Sequence, residues 1–157
     1  MEMCYIQTPL GIAKIVGDAS GVSIISINAE PQNVTEVPNV LKECVAQLIE
    51  YFDGKRQIFD FRINQSGTVF QQKVWQELEN IPFGKTISYL ELAKKLGDPK
   101  VIRAAASANG KNKLWIVVPC HRVIGSDGSL TGYAGGLWRK KWLLAHESNT
   151  EQLQLFC

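Results

Sequence analysis

Nowhere in the 157 residues is there a run of about 18 uninterrupted apolar side chains, and the opening stretch MEMCYIQTPLG has no basic start followed by an apolar segment. The sequence therefore predicts neither a membrane span nor a secretory leader; the expected address is the cytoplasm, or the nucleus in a cell that has one. Thiols and imidazoles are few. Cys4, Cys44, Cys120 and Cys157 lie far apart without a CxxC pair, and only His121 and His146 could join them. That spacing matches neither a disulfide framework nor a zinc site. Disorder and coiled coil are excluded by a composition of 45% hydrophobic and 20% charged residues, and the length suffices for one compact core or two small ones.

Charge is present but unevenly spread. Residues 1–65 carry five basic side chains against eight acidic ones, a net of −3, whereas residues 66–157 carry twelve against seven, a net of +5. A basic second half suits a polyanionic partner, with a merely solvated basic surface as the alternative.

The first half reads as a small α/β domain. YIQTPLG, IAKIVGD and VSIISINA are short β-branched runs separated by turn signals and predict consecutive antiparallel strands. From Val40 to Phe52 the apolar residues Val40, Leu41, Cys44, Val45, Leu48, Ile49 and Phe52 recur at three- and four-residue steps, which predicts a helix covering the sheet and stopping at Gly54. On that face Cys44 is a buried small hydrophobe. The polar stretch Asn64–Gly67 sets the boundary, giving domains of residues 1–65 and 66–157.

The second half reads as mainly helical. Thr68 can cap a helix through Leu78, and Ser88 with Glu91 forms a capping box opening a helix from Tyr89 to Leu96. Gly97-Asp98-Pro99 breaks that helix, and another runs from Pro99 or Lys100 to Ala108. Helix, Gly-containing turn and helix make a helix-turn-helix. The centre of the last helix is Ala-Ala-Ala-Ser-Ala, which alone suits tight core packing; the flanking Arg103, Lys111 and Lys113 favour a nucleic-acid groove.

The run Leu114-Trp115-Ile116-Val117-Val118 predicts a buried strand ending in Pro119-Cys120-His121-Arg122-Val123. A cysteine where a rigid element stops can face a cleft. At a pKa of about 8.5 only a few per cent is thiolate at neutral pH, so a nucleophile needs the base or charge that His121 and Arg122 could provide. A bare Cys-His pair is more often structural. Here it is followed by Gly132-Tyr133-x-Gly135-Gly136-Leu137 and Leu143-Leu144-x-His146-Glu147.

Together with IPFGKTISYLELAKKLGDPKVIRAAASANGKN, these motifs closely resemble the O6-alkylguanine-DNA alkyltransferases, the methylated-DNA-protein-cysteine methyltransferases. The resemblance covers essentially the whole chain, the first half through Thr-Pro-Leu-Gly, the strand pattern and Tyr-Phe-Asp-Gly-Lys. It implies an α+β fold: a small N-terminal α/β domain, ribonuclease-H-like, then a mainly helical domain with a winged-helix-like helix-turn-helix.

The implied activity is direct-reversal DNA repair, in which Cys120 takes the alkyl group from O6-alkylguanine, and from O4-alkylthymine, in one irreversible turnover without a cofactor. His121 would relay the thiol proton through a water, Glu147 would fix its tautomer, and Asn112 would tie the turn before the active-site strand. The implied partner is double-stranded DNA, met by a monomer in the minor groove with the base turned out of the stack. Arg103 would fill the gap and Tyr89 would crowd the neighbouring phosphate, with Ala104, Ala105, Asn109 and Arg122 also on the DNA. The base pocket would be walled by Tyr89, Val123, Tyr133, Ala134, Gly135 and Lys140. Zinc-bearing members take their ligands from N-terminal Cys and His residues; no His precedes His121, so no metal is expected.

The chain departs from the family pattern at Lys113, where a Pro usually follows the Asn; at Trp115, which is larger than usual; and at Ala134, often Ser. Competing readings are a non-catalytic alkyl-lesion-binding helix-turn-helix protein, whose known kin replace the reactive Cys, a helix-turn-helix regulator, and a thiol hydrolase that turns over repeatedly.

Overall fold

The computed structural model describes residues 1–28, 32–130 and 132–156, with side chains through Ser148. Cys157, expected to be an inert terminal thiol, and Ala29, at the end of the third strand run, lie outside the described residues. The chain forms an α+β fold of two compact units: Met1–Ser66 with Lys113–Trp115, and Gly67–Asn112 with Ile116–Cys157.

The first unit is built on an antiparallel sheet in the order β1 (Glu2–Thr8), β2 (Gly11–Asp18), β3 (Gly21–Asn28). Both hairpins have two-residue loops, and Gly11 and Gly21 close them at φ of 123° and 135°, values a side chain would resist. Period-two alternation puts Cys4, Ile6, Thr8, Ala13 and Ile15 on the covered face. On β3 the buried residues Val22 and Ile25 are three apart, because the register shifts by one opposite Val16 and Gly17 and flips the alternation. Two short segments then pair with β3. Val22 exchanges backbone hydrogen bonds with Arg62 and Asn64, and Ile25 with Lys113 and Trp115.

Helix α1 (Lys42–Phe52), preceded by a 3-10 turn at Asn39–Leu41, packs against β1. Its buried stripe is Cys44, Val45, Leu48 and Tyr51, while Val40 and Ile49 are largely exposed and Phe52 is half-buried. The predicted stripe is thus rotated. Tyr51 replaces Ile49 and Phe52 because its ring packs between Phe52 and Phe59, an aromatic partner contributed from beyond the helix.

In the second unit, α2 (Val69–Glu79) and α3 (Tyr89–Lys95) both open on capping boxes, Thr68 with Gln71 and Ser88 with Glu91. α4 (Ile102–Gly110) follows the turn at Gly97, whose φ is 100°, and a 3-10 turn at Pro99–Val101 capped by Asp98. Trp75 of α2 is buried and donates its indole N–H to the Ala108 carbonyl at 2.9 Å, fastening α2 to α4. Two-residue strands β4 (Ile87–Ser88) and β5 (Val123–Ile124) pair in parallel, and α5 (Leu137–Phe156) closes the chain.

The predicted strand Leu114–Val118 is not formed. Its first two residues belong to the sheet of the first unit, and Ile116 then takes φ of 74°, unusual for a β-branched residue. The backbone turns instead of extending. A boundary at residue 65 therefore misses Lys113–Trp115, whose hydrophobic run reflects burial beside Ile25 rather than a strand of the second domain.

Candidate active site

Three local devices bring the chemistry-bearing residues together. The turn after Ile116 is tied by the Asn112 amide, which donates to the Val118 carbonyl at 2.8 Å. Pro119 then starts a 3-10 turn, Cys120–Arg122, stacking three functional side chains on consecutive residues. The pairing of β4 with β5 sets this turn beside the start of α3.

Cys120 is 5% exposed, and burial pushes its thiol up to about 11. A hydrogen bond from the Asn112 side chain, the Lys140 charge and the backbone N–H groups of the turn act in the opposite direction. At neutral pH the resting group is a thiol. His121 is fully buried, and burial holds its imidazole below the ordinary range even though the Glu147 carboxylate favours the charged form. It is therefore neutral. Its Nε2 lies 2.7 Å from Glu147 Oε2 and donates there, so Nδ1, which is buried and has no hydrogen-bond partner among the described residues, carries the lone pair.

Burial alone would raise the Glu147 carboxyl, but His121 and Arg122 hold it down at about 2. Arg122 grips the carboxylate at two points. Its Nε and one terminal nitrogen reach the two carboxylate oxygens at 2.7 and 2.9 Å, while the other terminal nitrogen reaches the Ile81 carbonyl at 2.7 Å. The Phe83 ring stands 5.8 Å from the guanidinium. The result is a buried His121–Glu147–Arg122 network next to Cys120 in the chain, in which the carboxylate is already neutralised, leaving the imidazole free to act as a base.

This placement corrects the expectation that Arg122 contacts DNA. Arg122 is 6% exposed and its guanidinium is engaged by Glu147 and Ile81, so its role lies in holding the buried carboxylate.

Lys140 is also buried. Its ammonium donates to the Val123 carbonyl at 2.7 Å and lies 5.8 Å from the centre of the Tyr89 ring. Burial lowers its pKa, and the Cys120 charge opposes that.

A groove of about 640 Å³ is lined by Tyr89, Ile102, Arg103, Ala106, Gly110, Gly132, Tyr133 and Ala134. Four of the expected site residues, Tyr89, Arg103, Tyr133 and Ala134, thus meet on one concavity. Ala104 is exposed, as a surface contact requires. Ala105 and Asn109 are not, and this corrects their reading as DNA contacts. Both lie on the inner side of α4, and the Asn109 amide points to the Cys120 carbonyl at 3.4 Å. Gly110 lines the groove and Ser107 is exposed, seven and four residues from Arg103 respectively, the spacings of one helix face. Val123 and Gly135 are buried behind the groove lining, where both present carbonyls to cationic side chains. Among the described residues no group of three or more His, Cys, Asp or Glu could hold a metal ion, and no helix is long and apolar enough to cross a membrane.

A buried cysteine with a carboxylate-fixed imidazole, next to a helix-turn-helix, defines the class of protein: a thiol group-transfer protein with a nucleic-acid-binding scaffold. Comparison with known proteins gives the family. The model for the DNA binding domain of 6-O-methylguanine DNA methyltransferase matches residues 69–149, and the model for its ribonuclease-like domain matches residues 3–65. The constitutive methylated-DNA–protein-cysteine methyltransferase of Bacillus subtilis is 45% identical over 139 residues, covering 82% of this chain and 84% of that protein. The corresponding protein of Methanosarcina acetivorans is 39% identical over 156 residues, covering 95% and 99%. The crystal structure of Mycobacterium tuberculosis OGT in complex with DNA superposes with a TM-score of 0.84 at 40% identity, covering 98% of each chain. The chain belongs to the 6-O-methylguanine DNA methyltransferase family, and its activity is DNA repair by transfer of an alkyl group to cysteine.

Proposed function

We propose that Cys120 is the acceptor, and that it takes the alkyl group from O6-alkylguanine, and from O4-alkylthymine, in double-stranded DNA. In this reading Sγ attacks the alkyl carbon, a carbon–sulfur bond forms as the carbon–oxygen bond breaks, and the thiol proton moves through a water to His121 Nδ1. The proton is returned to the departing base, so no charge is left behind. The thioether is not hydrolysed at neutral pH, and each molecule therefore reacts once.

The observation that carries this reading is the buried His121 with Nε2 2.7 Å from Glu147 Oε2 and Nδ1 without a hydrogen-bond partner among the described residues. Such an arrangement serves a thiol that starts protonated. Lys140 then stabilises the sulfur charge as it develops. The groove supplies a place for a base turned out of the stack, with Tyr89 against the neighbouring phosphate, Tyr133 and Ala134 beside the base, and Arg103 filling the gap in the duplex from the minor groove. The DNA-bound M. tuberculosis relative supports the partner. In this reading the protein works as a monomer, without cofactor or metal, in the cytoplasm or in the nucleus of a cell that has one.

The test is intact-protein mass after incubation with an O6-methylguanine duplex. One added methyl, mapped to Cys120 and absent from Cys120→Ala, with no second turnover, is the expected result. Lesion binding without a mass change would replace the reading with that of a non-catalytic lesion binder, and methylation of the Cys120→Ala protein would sink the assignment of the acceptor.

A further inference from the structure

The groove has one wall made of loop rather than helix, the segment holding Gly132, Tyr133 and Ala134. Glycine frees such a loop, with φ of 52° at Gly132 and 90° at Gly136, and nothing in its composition fixes a single shape. Its order comes from the first turn of α5. The Arg139 guanidinium reaches back one turn and donates to the Gly135 carbonyl at 2.8 Å. In the same turn the Gly136 carbonyl accepts from the Arg139 and Lys140 N–H groups at 3.2 and 3.3 Å, and the Gly136 N–H donates to the Tyr133 carbonyl at 2.9 Å.

Arg139 is itself only 8% exposed, and its guanidinium is stacked 4.5 Å from the centre of the Trp138 ring. Trp138 is 56% exposed, and its ring lies against the guanidinium. The indole shields that group from water on one side. Lys140, the next residue, points elsewhere, to the Val123 carbonyl under the nucleophile. Two adjacent cations thus have separate tasks, one below the thiol and one on the loop.

We infer that Arg139, sandwiched against Trp138, is a positioning residue that holds the Gly132–Gly136 loop in its base-accepting shape and so sets how tightly the extruded base is bound. Burial raises the Tyr133 hydroxyl, and the charge of Arg139 opposes that shift. The inference rests on the reading that this groove takes the base. It separates two affinities: the pocket's hold on the base passes through Arg139, whereas duplex binding by the exposed face of α4 does not.

The experiment uses the full chain and two substrates, free O6-benzylguanine and an O6-methylguanine duplex, with Arg139→Met, Arg139→Lys and Trp138→Ala. For free O6-benzylguanine, Arg139→Met should raise the half-saturating concentration about tenfold, with the limiting rate within about twofold of wild type. Arg139→Lys, which keeps a cation within reach of the carbonyl, should recover about half of that change on a logarithmic scale. Affinity for an unmodified duplex should be unchanged in all three. Trp138→Ala removes an exposed ring and leaves the core intact, so it remains informative if Arg139→Met does not fold; a rise of about two- to threefold is expected.

An unchanged half-saturating concentration in folded Arg139→Met, or in Trp138→Ala where Arg139→Met does not fold, would overturn the inference, as would equal effects of the Lys and Met variants. Wild-type protein that transfers from neither substrate would instead defeat the functional reading beneath it. Transfer by wild type with variants indistinguishable from it would remove only the role of Arg139.

Discussion

The two units bury cysteines in opposite company. In the first, Cys44 lies in an apolar stripe of α1, where burial and the neighbouring Cys4 push its thiol up to about 12. In the second, Cys120 is just as deeply buried and still reaches about 11, but its surroundings include Asn112, Lys140 and the N–H groups of a tight turn. The same contrast holds throughout the cores. The first unit buries aliphatic and aromatic groups with few polar ones, whereas the second buries His121, Arg122, Arg139, Lys140 and Glu147. Burial alone makes a thiol inert. What distinguishes the second unit is a set of charges that must be satisfied locally, and those charges gain strength in the same low-dielectric surroundings that raise the thiol.

Exchanging the sulfur in each unit breaks the comparison most sharply. Cys120→Ser should reduce alkyl transfer by roughly 10³-fold or more, since a hydroxyl in the same place is a far weaker nucleophile at neutral pH. Cys44→Ser should leave the transfer rate of folded protein unchanged and lower stability by about 1–3 kcal/mol, the cost of burying a hydroxyl in an apolar stripe. Rates measured by transfer of labelled methyl, alongside urea denaturation, decide both. Similar losses of transfer in the two variants would mean that the thiols are not differentiated in this way.

The buried charges predict the next largest effects. Arg122→Ala leaves Glu147 with only a neutral imidazole and should cost about 3–5 kcal/mol of stability. Glu147→Gln removes the anion that fixes His121 and should slow transfer by about 10²–10⁴-fold, while affinity for an undamaged duplex stays within about twofold. A Glu147→Gln protein that reacts at the wild-type rate would leave the imidazole without a role in deprotonating Cys120.

Acid stability sharpens the contrast at smaller scale. Glu147 is held at about 2 against an unperturbed 4.5, so its contribution is fully present above 4.5 and is lost as pH falls toward about 2; the shift corresponds to at most about 3 kcal/mol. Because burial lowers the His121 pKa from 6.5, the unfolded chain takes up a proton there before the folded one does. Stability from that group is therefore present above 6.5 and erodes as pH falls below it. Both slopes have the same sign and both belong to the second unit. Urea midpoints between pH 7 and 3 should fall for wild type and fall less steeply for Glu147→Gln, and equal slopes would assign the acid limb to other groups.

The residues of the site were legible in the sequence to the extent that their neighbours along the chain announced them. Pro119-Cys120-His121-Arg122 and the Leu-Leu-x-His-Glu segment in the middle of α5 pointed to the thiol, the imidazole and the carboxylate, and the capping boxes located α2 and α3. Orientation was less accessible. Arg122 could be read as a surface cation because nothing local reveals that Glu147, 25 residues away, takes two of its three guanidinium nitrogens. On α4 the small residues gave no hydrophobic period, so Ala104 and Ala105 looked equivalent although only one is exposed. Arg139 went unnoticed; its signal was present, an arginine four residues after Gly135 in the first turn of a helix, the spacing at which a side chain returns to the preceding loop. The apolar run Leu114–Val118 misled for a related reason, since burial beside Ile25 and strand formation leave the same trace in a sequence.

The departure at Lys113 gives the smallest and most local prediction. The family pattern that the sequence resembles implies Pro after the turn Asn, and Lys113→Pro looks like a stabilising change because Pro restricts the unfolded chain. In this chain, however, the Lys113 N–H donates to Gln65 Oε1 at 2.6 Å, while the Lys113 carbonyl accepts from Ile25 at 2.8 Å. A proline keeps the second bond and deletes the first. Losing a part-buried hydrogen bond costs about 1 kcal/mol, and the gain from restricting the unfolded chain is about 0.4–1 kcal/mol, so the two nearly cancel. Adding Gln65→Leu separates them, because an apolar side chain of similar size no longer needs the donor. Lys113→Pro should change stability by less than about 1 kcal/mol in wild type and should be more favourable, by about 1 kcal/mol, in the Gln65→Leu background. Additivity of the two substitutions in urea denaturation would show that the 2.6 Å contact contributes nothing to the first unit.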